Sequence, residues 1–293
     1  SRKDQLPHWF TEPWRSVLPS VIFGLLYGAA LASKVSVYAL ALLLPLSAFL
    51  YYRKLPESQK RGSLLILARN LVIAGIAAFL AFRIFQPYTF AGPGFFNLNL
   101  NPGWLSSLRE LAVIQSGEVD VPYALQWARR PVLFTIKNLV LYGLGIPLGV
   151  LSLAGLLWMG WRILKGDWEK HLLIWGWTAF VLVTQSLVHV KSMRYVVSIY
   201  PALALIAAWV IFKLYETGAS DIQKIRFFRF NWKKVLAISA LVITVIGTAL
   251  WAIAFMSIYT RPVTRVAASD WIYENIPGAI NLNITNDRSV SFN

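Results

Sequence analysis

Not one of the 293 residues is cysteine. Disulfides that would staple loops outside the cell, a thiol nucleophile and any thiolate-ligated metal site are all excluded on that ground. Charge is scarce too: Asp, Glu, Lys and Arg make up 14% of the chain, against 57% hydrophobic residues. A soluble domain carries about a quarter charged residues, and one built from this composition would be left with apolar patches on its surface. No heptad array, low-complexity tract or fixed-length repeat organises the chain. No signal peptide precedes the first apolar run, the first residue is serine, and the sequence stops in polar residues soon after a new structured segment begins. The chain is therefore expected to be an internal piece of a longer protein.

What the sequence does contain is long apolar runs. Val235 to Thr260 carries no charge at all, which exceeds the roughly 20 residues a helix needs to cross a hydrocarbon core. Similar runs cover about 17–33, 35–52, 63–83, 139–161, 171–190 and 195–212. Each is expected to satisfy its backbone hydrogen bonds internally as a helix, the solution open to a single segment in lipid. With a mean hydropathy of +0.56 and 13 Trp, the pattern predicts an all-α polytopic membrane protein of seven spans, the last covering about 235–259. The formal charge of +15 does not point to nucleic acid, because the basic residues sit at the ends of the runs rather than in a polar patch.

Their distribution sets an expected orientation, since short cytoplasmic loops carry the excess of Lys and Arg. Arg2, Lys3 and Arg15 precede the first span, and Arg53, Lys54, Lys60 and Arg61 join the second to the third. Arg162, Lys165 and Lys170 join the fourth to the fifth. Lys213, Lys224, Arg226, Arg229, Lys233 and Lys234 join the sixth to the seventh. All four groups fall inside if residues 1–16 form a cytoplasmic segment. The membrane domain then covers 17–260, and 261–293 begins an extracytoplasmic domain. The Lys34 turn, a long loop over 84–138 and the Lys191–Arg194 turn face outward. Arg109, Arg129, Arg130 and Lys137 in that long loop weigh less, because long loops set orientation weakly. In a bacterial cell this would be a multi-pass protein of the plasma (inner) membrane, with its last residue outside.

Two outward segments break the helical pattern. Residues 84–138 are rich in Gly, Pro and Asn up to Gly103, and a short helix is expected near Leu105–Ser116. Aromatic residues such as Tyr88, Trp104 and Trp127 suit the headgroup level. The polar residues among them, Glu110, Glu118, Asp120, Gln126 and Arg129, are candidates for contact with a substrate or are solvated loop charges. After the last run, Val263–Asn275 has a roughly helical pattern that Pro277 and Gly278 stop. An apolar stretch, Ala279–Ile284, then suits the opening of an outer α/β domain. Asn283-Ile284-Thr285 has the form of a glycosylation sequon.

The densest chemistry lies at His189-Val-Lys191-Ser-Met-Arg194-Tyr195. A guanidinium fork and a mobile ammonium at the lipid boundary suit a phosphate; equally, the two cations would simply end two helices by snorkelling. Lys34, between two apolar runs, marks a tight outward hairpin. Arg69 lies several residues inside the third run, where full burial in lipid would cost on the order of 3 kcal/mol, and snorkelling is the expected remedy.

At these residues the chain resembles the polytopic glycosyltransferases of the GT-C type, the group that includes protein O-mannosyltransferases and lipid A aminoarabinose transferases. Ala32-Ser33-Lys34 looks like the family's Ser-Lys element, and Met193-Arg194-Tyr195 followed by Tyr200-Pro201 looks like its Arg-Tyr and proline helix. The loop text Phe85 to Phe96, Asn101-Pro102-Gly103-Trp104-Leu105, Gln126-Trp127 and Tyr142 to Gly149 resembles a bacterial branch related to the mannosyltransferases. So does Thr264 to Asn275. The resemblance covers about 16–278. It implies inverting transfer of a sugar from a polyprenyl-phosphate carrier to an acceptor on the outer face, with the lipid-linked sugar as co-substrate and the bilayer as partner. On this reading Arg194, Lys191, His189, Tyr195 and Lys34 surround the donor phosphate, and Tyr88, Gln126 and Arg129 belong to the cavity and loop. No residue is assigned as a metal ligand, and a divalent-metal requirement stays open. Family members usually take their base from an acid in the first outward loop. No stretch here matches it, because Asp4 and Glu12 fall on the cytoplasmic side, so the base is expected upstream, with Glu118 and Asp120 as weaker candidates. The piece alone would then be inactive. A transporter or permease and a non-catalytic assembly subunit are the alternatives.

Overall fold

The computed structural model describes residues 13–92, 94–119, 121–122, 124–223 and 231–276, with side chains from Ser16 onward and none for 218–223. In chain order the helices are α1 (Pro13–Ser33), α2 (Leu43–Lys54), α3 (Glu57–Phe85), α4 (Pro102–Ser116), α5 (Phe134–Asn138), α6 (Ile146–Arg162), α7 (Trp168–Leu187), α8 (Tyr200–Gln223), α9 (Trp232–Met256) and α10 (Thr264–Asn275). No strand occurs among the described residues; a lone antiparallel bridge pairs Phe90 with Leu100.

Among the described residues, six helical stretches are long and apolar enough to cross a membrane: Ser16–Ser33, Val35–Lys54, Glu57–Phe85, Ile146–Leu187, Val197–Thr217 and Trp232–Asn275. The chain is an all-α, multi-pass membrane protein. Its large apolar side chains face outward along these stretches, with Leu65 and Leu157 each 76% exposed, as lipid contact requires and water would not tolerate.

The stretches differ in detail from the runs expected of the sequence. The run expected at 35–52 begins as eight residues of 3-10 helix, Val35–Leu42, before becoming α2. The run expected at 139–161 is broken at Gly145, whose φ of +78 ends a π-turn over Leu139–Gly143 and lets α6 start afresh at Ile146-Pro147. As the charged segment 162–170 led one to expect, the chain breaks between α6 and α7, at Gly166 with φ +104. Trp175 Nε1 donates to the Leu156 carbonyl at 2.9 Å, so α7 lies back against α6. Within the loop at 84–138, α4 starts at Pro102, earlier than the expected Leu105. Asn101 caps it, its Oδ1 accepting from Gly103 N at 2.9 Å. The helix expected at 263–275 is present as α10. The stretch 279–284 and the Asn283 sequon lie outside the described residues.

Packing is closest between α1 and α3. Ser16 and Ser20 are buried on α1, and Gly24 and Gly28 continue the same spacing of four against Ala74, Ala77, Ala78 and Ala81 of α3. A Cβ at Gly24 would overlap the carbonyl oxygen of Ala74, and one at Gly28 that of Ala78. Small residues allow this because association in lipid depends on close van der Waals approach rather than on hydrophobic exclusion. At one end of this pair Arg69 Nη2 donates to Ser16 Oγ at 2.9 Å, and Asn70 Nδ2 donates to the Ser16 carbonyl at 3.0 Å. Arg69 thus hydrogen-bonds to the beginning of α1.

A second core gathers Leu139, Leu144, Val181, Leu182, Val196, Ile199 and Leu203 from α7, α8 and the turns beside them. Two contacts fix which turns share an end. Lys34 Nζ donates to the Arg194 carbonyl at 3.0 Å, joining the turn after α1 to the turn before α8. Arg53 Nε stands 3.6 Å from Glu169 Oε1, its guanidinium 4.8 Å from the Trp168 ring, joining the end of α2 to the start of α7.

Arg83, expected as the last residue of a span, is a buried anchor for the loop instead. Its Nε donates to the Phe95 carbonyl at 3.0 Å and its Nη2 to the Gly94 carbonyl at 2.8 Å, with Phe90 and Phe95 rings 4.6 and 5.3 Å away. Arg83→Met keeps the stem but strands two carbonyls, at a cost of about 1–3 kcal/mol to the loop's fold. Limited proteolysis between Gln86 and Asn101 should become several-fold faster, and unchanged cleavage would remove the anchoring role.

Candidate functional site

The turn between α7 and α8 runs as short 3-10 segments, Met193–Tyr195 and Val197–Ile199, which aim Arg194 and Tyr195 toward the turn at Lys34. Lys34 lies 4.4 Å from the Tyr195 ring centroid, and Arg194 Nη2 donates to the Tyr195 hydroxyl at 3.2 Å. Two cations thus share one aromatic ring, stabilised by its negative faces. Arg194 is exposed, whereas Lys34 and Tyr195 are half-buried. Burial pushes the Lys34 ammonium below the ordinary lysine value, and the positive charge of Arg194 pushes it the same way. Two like charges that repel one another in this way leave the site open to an anion that would relieve the repulsion.

Beside them lies a cavity of about 440 Å³. One wall is a single face of α7, Trp177, Phe180, Val181, Thr184 and Gln185, at the spacing of successive helical turns, continued by Val188 just past the helix. Ser36, Val37 and Tyr38 line it from the 3-10 segment. No carboxylate stands among the described residues that line it, and both Lys34 and Arg194 do. An apolar chamber with cations at its edge suits an amphiphile with an anionic head. Among the described residues, no cluster of His, Asp and Glu is arranged to hold a metal ion.

Compared with protein-family models, characterised proteins and solved structures, the chain matches none.

Of the residues singled out in the sequence, Arg194, Lys34 and Tyr195 come together. Lys191 is buried with its ammonium donating to the Val188 carbonyl at 2.7 Å, and it does not line the cavity. His189 packs over Gly117 at the end of α4, its backbone N–H donating to the Gln115 carbonyl at 3.1 Å. Tyr88 is 58% exposed and leans over Gly103 at the start of α4. Gln126 and Arg129 sit on the exposed surface of the loop, Gln126 accepting at its carbonyl from Arg130 Nε at 3.1 Å and Arg129 holding a φ of +62. Glu118 is exposed just past α4, away from the cavity lining. Asp120 lies outside the described residues. The α7 wall was not singled out in advance, although the spacing of Trp177, Phe180, Val181 and Thr184 inside one apolar run carried the signal.

Proposed function

We propose that this chain belongs to a membrane glycosyltransferase that takes its sugar from a polyprenyl-phosphate donor, acts on the extracytoplasmic face and inverts the anomeric centre. The observation that carries the reading is the Lys34–Tyr195–Arg194 cluster beside an apolar cavity. It offers what a long-chain lipid phosphate needs, paired cations for the head and an apolar wall for the chain. The resemblance of Ser33-Lys34 and Arg194-Tyr195 to GT-C elements supports the same chemistry.

The topology that goes with this reading has seven spans, α6 and α7 counting separately across Gly166. Residues 1–16 are cytoplasmic, and α10 leads into the outer domain. The protein lies in the plasma (inner) membrane. In the reaction, Arg194 and Lys34 stabilise charge that builds on the departing phosphate, which lowers the barrier only to the extent that they hold it better than the intact donor. The acceptor proton goes to a carboxylate base, and the cavity lining supplies none among its described residues.

Membranes containing the full protein, given isotope-labelled polyprenyl-phosphate sugar, should transfer label to an outer-face acceptor and lose that transfer in Arg194→Ala. Flux of a solute without transfer would favour a permease instead. A pH series gives a second check. As pH rises through the lowered Lys34 pKa, one of the two cations is lost, so affinity for a lipid phosphate should fall at a lower pH than an ordinary lysine would dictate. Lys34→Arg, always charged, should flatten that fall. A profile identical in the two proteins would separate Lys34 from the anion.

A further inference from the structure

The charge of the cluster bears on which phosphate it prefers. A sugar-phosphate carrier is a phosphodiester with one negative charge. When the acceptor oxygen bonds to the anomeric carbon, the bond from that carbon to the phosphate oxygen breaks and its electron pair stays on the phosphate. The acceptor proton passes to a carboxylate base. The carrier left behind is a phosphomonoester, with a charge of about −1.5 to −2 at pH 7. Lys34 and Arg194 supply two positive charges at the cavity, with no carboxylate among its described lining residues to cancel either. Within the protein, Lys34 uses one donor on the Arg194 carbonyl and Arg194 one nitrogen on the Tyr195 hydroxyl. An ammonium has three donors and a guanidinium five, enough to engage all the oxygens of a monoester.

Resting on the proposed donor chemistry, we infer that the Lys34–Arg194 site is a monoester-selective site, binding the spent carrier phosphate more tightly than the sugar-loaded donor. The second charge meets two cations in a partly dehydrated site, where each attraction is stronger than in water. Such a site pulls the reaction forward in the transition state and retains the product afterwards, so release of the carrier slows turnover. Both cations stand against the Tyr195 ring, 4.4 and 5.1 Å from its centroid, and both line the same cavity.

The test compares two probes that differ in one charge, dodecyl phosphate and its methyl ester, binding at pH 8 to the full protein in phosphatidylcholine nanodiscs. The unaltered protein should bind the monoester about tenfold tighter than the diester. Lys34→Gln should bring the two affinities together while diester binding persists, and Lys34→Arg should keep the preference. Equal affinities in the unaltered protein, or tighter diester binding, would overturn the selectivity and leave the donor reading standing. Absence of saturable binding by either probe would overturn the donor reading itself. Adding phosphatidic acid to the nanodisc distinguishes the source of the monoester. Little displacement of dodecyl phosphate supports a single-chain carrier, and displacement at equal concentration would reassign the site to a two-chain lipid head group.

Discussion

Arg194→Ala is expected to reduce sugar transfer by about two to three orders of magnitude, the usual effect of deleting one donor that serves a developing anion. The side chain is exposed and takes part in neither buried core, so the fold should survive its loss. Its removal also relieves the repulsion on Lys34, so the remaining cation should hold its proton to higher pH. Arg194→Lys restores the charge but not the planar fork, and only partial recovery is expected. Tyr195→Phe keeps the ring that Lys34 lies against and deletes only the hydroxyl that accepts from Arg194. Its effect should be several-fold, well below that of Arg194→Ala. Transfer rates in membranes, normalised to the amount of inserted protein, check all three, and full turnover in Arg194→Ala would remove the phosphate assignment.

Gly28→Leu should be the most damaging substitution to the fold. The new Cβ would overlap a backbone carbonyl of α3 rather than the tip of a flexible side chain, so relief requires α1 and α3 to separate. Overpacking a well-packed interior typically costs about 1–3 kcal/mol, and a clash between two helix backbones belongs at or beyond the upper end. The control is Gly75→Leu on α3, where a Cβ meets nothing within 4 Å. Melting curves in detergent should show a drop of many degrees for Gly28→Leu and little change for Gly75→Leu. Equal behaviour would mean that the close approach of the two helices does not hold the bundle.

The membrane-crossing stretches were legible because lipid imposes one demand on every residue of a long segment, and that demand survives averaging. Local geometry does not average. Gly145 sits inside apolar text, and only its positive φ reveals that it ends a π-turn, whereas the break at Gly166 lies in the charged segment 162–170 that the sequence already set between two spans. The α1–α3 contact was readable in principle from Ser16, Ser20, Gly24 and Gly28 at intervals of four, a spacing easily lost beneath the hydropathy of the run. At the candidate site the sequence brought Lys34 and Arg194 to the same side through their turns, and these turns meet. It grouped Lys191 and His189 with them by proximity along the chain. Direction, however, depends on 3-10 segments and on what α4 packs against, and these hold Lys191 and His189 in other contacts. Arg83 looked like a helix end because its partners, the carbonyls of Gly94 and Phe95, are set by a loop conformation no periodicity encodes.

The tight winding of Val35–Leu42 bears on reach. A 3-10 helix rises about 2.0 Å per residue and an α-helix 1.5 Å, so the 20 residues of Val35–Lys54 extend about 34 Å rather than 30 Å. That length exceeds the thickness of a typical hydrocarbon core, about 30 Å. A segment of minimal length can therefore traverse the bilayer while still lifting Lys34 to the level where water and lipid phosphate meet.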